Sequence, residues 1–185
     1  MEIDNYLGTN NWFNYKKFYD FISEKKYQTL VEVGVWKGHS ISYLAEKNRN
    51  SRIWAVDLFE ETTDRYYQDD SLKNQIPHIY DIYQKNLENN KVREIITDIK
   101  GYSHESASLF ENESIDFVFI DACHEYENVV QDIKEWFPKV KSGGIISGHD
   151  YDSFIGVKRA VDEFVGKYNL NLQRHEGYVW YCYKP

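Results

Sequence analysis

Cysteines, basic runs and long apolar stretches are scarce in this 185-residue chain, and each scarcity removes a class of protein. Two cysteines, Cys123 and Cys182, make neither a disulfide framework nor a metal-binding quartet. Lys and Arg number 22 against 30 Asp and Glu, a net charge of -8, and no Lys/Arg-rich run offsets that balance. A nucleic-acid backbone is therefore not an expected partner. No apolar stretch could span a membrane, so no membrane partner is expected. Met1-Glu2-Ile3-Asp4 lacks the basic and apolar regions of a signal peptide, and the expected location is cytoplasmic. Internal repeats, low-complexity tracts and linkers are also missing. What remains is a globular composition, 42% hydrophobic and 28% charged, of a length that suits one domain over 1–185 with a sizeable core. The 17% aromatic content, 16 of them Tyr, fits either a lined pocket or a tyrosine-rich core.

The chain is organised around Thr29 to Leu44. Leu30, Val31, Val33 and Val35 form a short β-branched run of the kind a central parallel strand shows. Gly34 and Gly38 bracket a turn, and His39-Ser40 leads into the helical Ile41, Tyr43 and Leu44. A dinucleotide fingerprint needs Gly-x-Gly-x-x-Gly so that backbone can approach a pyrophosphate. Here Trp36 stands where the middle glycine belongs. Glu32, just ahead of the turn, would repel a pyrophosphate and attract an ammonium or sulfonium group. The residues point to a nucleoside ligand carrying positive charge. An ordinary βα turn is the alternative.

In chain order, Asn11 to Lys26 has apolar residues near helical spacing and predicts a helix within an N-terminal helical segment, 1–28. Arg52 to Phe59 reads as the second strand, with Asp57 near its carboxyl end, 25 residues after Glu32. That is close to the roughly 20 of a mononucleotide-binding βαβ unit, where a carboxylate accepts ribose hydroxyls; a cap or turn role is the alternative. The region 59–90 is longer than a plain crossover needs, and Phe59 to Pro77 is a candidate lid or a solvated connection. Val92 to Ile99 reads as the third strand, with Ser103 as the N-cap of a short helix after it. Ile115 to Ile120 reads as the fourth strand and Gly144 to Gly148 as the fifth. Between them Val129, Val130, Ile133, Trp136, Phe137 and Val140 form a helical stripe whose last turn Pro138 weakens. A helix through Val157 and Phe164 follows, then an antiparallel hairpin across Gly177. The expected fold is α/β, a doubly wound and mostly parallel sheet with an antiparallel C-terminal hairpin.

Glu32, Asp57, Asp121, His124, His149 and Asp150 all fall at or just beyond the carboxyl ends of predicted strands, which share one rim of an open α/β sheet. Asp121 and Asp150 end neighbouring strands, so their carboxylates can converge on a hard divalent cation such as Mg²⁺. Capping of the following turns is the alternative.

The segment Glu-x-Gly-x-x-x-Gly-x-Ser, at Glu32, Gly34, Gly38 and Ser40, resembles motif I of the class I S-adenosylmethionine-dependent methyltransferases. Among these it looks most like the metal-dependent catechol-type and sugar O-methyltransferases. The resemblance spans roughly Thr29 to Asp162 and implies a Rossmann-like fold binding S-adenosylmethionine. It implies cofactor contacts from Glu32, Gly34, Trp36, Gly38, Ser40, Asp57, Ser103, His104 and Asp121, with Ser103 and His104 toward the adenine. It places Asp121 and Asp150 on two metal-binding aspartates, and His124 where the family carries a catalytic lysine or, in sugar O-methyltransferases, an Asp-x-x-His histidine. Tyr151 departs from the pattern at the family's third-ligand position, leaving His149, Asp152 or water to complete a coordination sphere. The expectation is metal-assisted O-methylation of a small hydroxylated acceptor such as a sugar, with His124 as general base and a homodimer as the assembly to test. A nicotinamide-dependent oxidoreductase is the competing enzyme, opposed by the missing glycine and the terminal hairpin. An inactive nucleoside-binding module on the same fold is the non-enzymatic reading.

Overall fold

The strand at Thr29–Val33 (β1) is buried at every residue and has a partner on each side. A computed structural model describes residues 13–60 and 76–185. Six further strands follow: β2 Arg52–Asp57, β3 Ile96–Lys100, β4 Ile115–Ile120, β5 Val140–Gly148, β6 Gln173–His175 and β7 Val179–Tyr183. They form one sheet in the order β3-β2-β1-β4-β5-β7-β6. The β1–β5 pairings are parallel, and the terminal hairpin joins antiparallel through β5 and β7. This is the expected fold class.

Strand alternation divides the core into two layers. Leu30, Ile53, Ala55, Phe117 and Phe119 face the helices α1 (Lys16–Glu24), α2 (His39–Lys47) and α3 (Ile79–Asn89). Val31, Val33, Val56, Val118 and Ile120 face the other layer, formed by α4 (Ser103–Ser106), α5 (Tyr126–Trp136) and α6 (Ile155–Tyr168). Both sheet faces are apolar because both are covered, the condition under which parallel strands read as continuous hydrophobic runs. Each fully buried Leu, Ile or Phe of these layers contributes about 1.5–3 kcal/mol.

Several boundaries differ from expectation: β2 ends at Asp57 rather than Phe59, and β5 begins at Val140, the last residue of the expected helical stripe, rather than at Gly144. Val92 to Ile95 is not strand: Arg93–Ile95 is a 3-10 turn, and β3 begins at Ile96. The first helix starts at Lys16, and the first part of its expected span, like most of the candidate lid, lies outside the described residues. Tyr102, not Ser103, is the N-cap of α4. Proline acts as expected: α5 stops at Trp136 and Phe137–Lys139 tightens into a 3-10 turn. Among the described residues no helix is long and apolar enough to cross a membrane.

Candidate active site

The sheet register aligns the site. Val56, Val33, Ile120 and Gly148 are partners across four adjacent strands. The residues that follow them, Asp57, Gly34, Asp121 and His149, therefore stand side by side along the carboxyl rim. Strand order reverses between β1 and β4, so the crevice opens at the topological switch point where α/β sheets bind ligands.

Gly34 has φ +84°, and a Cβ there would stand 2.0 Å from the Asp121 carbonyl oxygen. Only glycine lets the ends of β1 and β4 approach this closely. Trp36, in the place of the missing middle glycine, itself adopts the left-handed region at φ 47°. Asp57 holds this turn: Oδ2 accepts from the Val35 N–H at 2.8 Å and the Trp36 N–H at 2.9 Å, and Oδ1 accepts from the Phe59 N–H at 2.8 Å. Burial pushes the Asp57 carboxyl up, and these backbone donors oppose the shift. The turn-forming role weighed against ribose binding is thus occupied, while Asp57 still lines the cavity beside it.

That cavity is about 340 Å³. Gly34, Trp36, Asp57, Ser103, His104 and Asp121 line it, whereas Glu32, Gly38 and Ser40 do not. The expectation that Glu32 faces a cationic ligand is corrected by strand alternation. Glu32 shares the Leu30 side of β1 and is 0% exposed. It accepts hydrogen bonds from the Tyr19 hydroxyl at 2.9 Å and from the Ser40 hydroxyl. Burial, against those two hydrogen bonds, raises its pKa to about 8. Gly38 serves the N-terminus of α2 and packs against Tyr83. Ser103 Oγ accepts the Trp136 indole N–H at 3.0 Å.

At the Asp121 end, Asp121, His124 and Asp150 bring three potential ligand atoms within 4.8 Å of one another. His124 Nε2 lies 3.0 Å from Asp150 Oδ2, and the His124 ring stacks on Phe154 at 4.2 Å. His149 Nδ1 is 3.0 Å from Asp150 Oδ2 and 3.7 Å from Asp121 Oδ1. Burial alone would raise Asp150, but hydrogen bonds from His124 and His149 hold it well below the usual carboxylate range. Burial raises Asp121; His149 opposes and Asp150 reinforces the shift. Burial would lower His149, yet the charges of Asp121 and Asp150 bring it above its ordinary value. Two carboxylates converging with an imidazole are a donor set that suits a divalent cation.

Tyr151 turns away from this cluster. Its hydroxyl donates to Asp162 Oδ1 at 2.5 Å and accepts from Lys158 Nζ at 3.0 Å, with the Arg174 guanidinium 4.5 Å from its ring centre. Asp152 pairs with Arg174, so of the two side chains that could complete a coordination sphere, His149 is the one at the cluster.

Two site residues escaped the sequence reading. Tyr15 donates to Asp121 Oδ2 from just before α1. Asp132 lines the cavity from the apolar stripe of α5. A carboxylate between Val129 and Trp136, at the spacing of the buried face, was the signal that could have found the second.

Comparison with known proteins agrees with this architecture. Residues 31–151 match the Methyltransf_24 family, described as "Methyltransferase domain". The chain belongs to that family, and it is a class I S-adenosylmethionine-dependent methyltransferase domain. Its fold is similar to the O-methyltransferase NovP, with TM-score 0.71 and 18% identity over 96% of this chain and 81% of that one. It is similar also to an O-methyltransferase from Bacillus cereus in complex with SAH, with TM-score 0.64 and 16% identity over 91% and 80% of the two chains. A curated relative, "Uncharacterized protein R132" of Acanthamoeba polyphaga mimivirus, is 26% identical over 136 residues, which are 71% of this chain. The chain spans about half of that relative, 55% of its length.

Proposed function

We propose that this protein transfers the methyl group of S-adenosylmethionine to a hydroxyl of a small acceptor, such as a sugar, with a divalent cation assisting. The observation that carries the reading is Asp121, which belongs to both the nucleoside-sized cavity and the acid–histidine cluster. Cofactor and acceptor would meet there. The acceptor oxygen attacks the methyl carbon in line, the carbon–sulfur bond breaks toward S-adenosylhomocysteine, and the hydroxyl proton must leave. Alignment of the two reactants supplies much of the rate. Asp121 and Asp150 would hold the cation, Mg²⁺ or a relative, with His149 adjacent. When bound, it would polarise the acceptor hydroxyl and lower its pKa. His124, oriented by Asp150 and by stacking on Phe154, takes the proton as general base. The neighbours named as O-methyltransferases support oxygen as the accepting atom.

Calorimetry with S-adenosylhomocysteine and with NAD, with and without Mg²⁺, tests the cofactor. S-adenosylhomocysteine should bind whether or not the cation is present, and NAD should not. Tight NAD binding with no response to S-adenosylhomocysteine would overturn the reading. Full turnover in excess EDTA would remove the metal from it.

A further inference from the structure

Two polar residues of the β1–α2 motif, Glu32 and Ser40, do not line the cavity, and the methyl-transfer chemistry leaves both unused. Both are buried, and they hydrogen-bond each other. Ser40 also hydrogen-bonds the Tyr15 hydroxyl, and Tyr15 donates to Asp121 Oδ2 at 3.0 Å. Side chains from β1, α2, the residue before α1 and the residue after β4 are thereby joined in one line: Glu32, Ser40, Tyr15, Asp121.

The number of hydrogens fixes the sense of that line. A serine or tyrosine hydroxyl has a single hydrogen to give. Tyr15 gives its hydrogen to Asp121, so at the Ser40 contact the phenol oxygen can only accept. The Ser40 hydrogen must then point to Tyr15, and a charged Glu32, which can only accept, competes for it. With Ser40 turned to a charged Glu32, two oxygens face each other at Tyr15 with no hydrogen between them. A proton on Glu32 removes the conflict: the acid donates to Ser40 Oγ, Ser40 to Tyr15 and Tyr15 to Asp121. Tyr19 serves the other carboxyl oxygen, Oε2, at 2.9 Å and fits either state. Burial favours the proton, as do the charges of Asp121 and Asp57, against the hydrogen bonds of Ser40 and Tyr19. Hydrogen bonds aligned head to tail polarise one another, which strengthens the last of them, the one Asp121 receives. We propose that Glu32 carries a proton at the head of this relay, and that Glu32 and Ser40 are positioning residues for the Asp121 carboxylate. This rests on the reading of Asp121 as a cation ligand. The glutamate and serine of the motif thus reach the site through Tyr15 rather than through the cavity.

Mn²⁺ titration of the whole chain, followed by the paramagnetic resonance signal of the free ion, tests the relay. Removing a direct outer partner of a metal-binding carboxylate costs about 10–100-fold in affinity, and Ser40 acts one link further back. Ser40→Ala should therefore weaken Mn²⁺ binding by about threefold to tenfold. Ser40→Cys, close in shape and a weak donor, stands in if the alanine variant does not fold. Glu32→Gln, whose amide gives Ser40 a hydrogen as the acid does, should stay within about twofold of the wild type. In a Tyr15→Phe background the relay is already cut, so Ser40→Ala should add less than about twofold. Wild-type affinity in folded Ser40→Ala, or its full loss repeated on top of Tyr15→Phe, overturns the relay while leaving the cation reading intact. A loss in Glu32→Gln as large as in Ser40→Ala makes Glu32 a charged acceptor and overturns it too. A wild type that binds no Mn²⁺ overturns the cation reading, and the relay's role with it.

Discussion

The Tyr15 hydroxyl donates to Asp121 Oδ2 across 3.0 Å, joining residues 106 positions apart in sequence. Its ring packs on Phe119 at 4.7 Å and on His149 at 4.8 Å, so one side chain braces the β4 end of the site on three sides. Burial raises the phenol pKa well above its ordinary value, and the charge of Asp121 reinforces the shift, so Tyr15 acts as a donor rather than a base. Outer partners of metal-binding carboxylates orient them and typically change affinity by about 10–100-fold when removed.

Tyr15→Phe keeps the ring packing and deletes the hydrogen bond. Divalent-cation affinity, titrated with Mn²⁺ as a magnetic probe, should fall by about tenfold. Thermal stability should change little, because the aromatic contacts persist. An unaltered Mn²⁺ isotherm would show that Tyr15 only packs.

Glu32 makes stability depend on pH in a direction opposite to most surface carboxylates. Its folded-state pKa of about 8 lies above the ordinary 4.5. Between those values the native protein holds a proton that the unfolded chain has released. The stabilisation is complete below about pH 4.5 and disappears as pH rises through about 8, at up to about 1.4 kcal/mol per pH unit. Glu32→Gln carries no titrating group, and its amide can still meet Tyr19 and Ser40. Urea unfolding at several pH values should therefore show the variant gaining on the wild type as pH rises from 5 to 8. Parallel stability profiles would rule out a protonated Glu32.

The sheet and its rim were legible because buried parallel strands are uninterrupted apolar runs and because the Gly34–Gly38 turn is punctuated by glycine. Asp57, Asp121, His124 and Asp150 were found by position, one residue or a short turn beyond a strand. The direction of Glu32 was not legible: when both faces of a strand are apolar, alternation does not say which layer holds the ligand. The onset of β3 was misplaced because Val92, just before a 3-10 turn, and Ile95, its last residue, are apolar and imitate the periodicity of a strand. Tyr15 precedes α1 and Asp132 lies within α5, and the residues that each meets at the site are distant in sequence. A local stripe records that such a residue is inward-facing and not what it meets.

His124 and His149 flank the same carboxylate, each 3.0 Å from Asp150 Oδ2, and differ in their other neighbours. His149 also contacts Asn14 Oδ1 at 3.1 Å through Nε2, lies 3.7 Å from Asp121, and packs against Tyr15. These contacts tie it to the fold and to the ligand set. His124 lies in the loop between β4 and α5, with its ring against Phe154 and its Nε2 toward Asp150. The pair should therefore separate kinetically once an acceptor is known. Removal of a general base costs about 10²–10⁴ in rate, so His124→Ala should lower kcat by that order with S-adenosylhomocysteine affinity unchanged. His149→Ala should instead weaken Mn²⁺ binding and lower the unfolding temperature, and excess metal should restore part of its turnover. A dead His149→Ala beside a fully active His124→Ala would transfer the base role to His149.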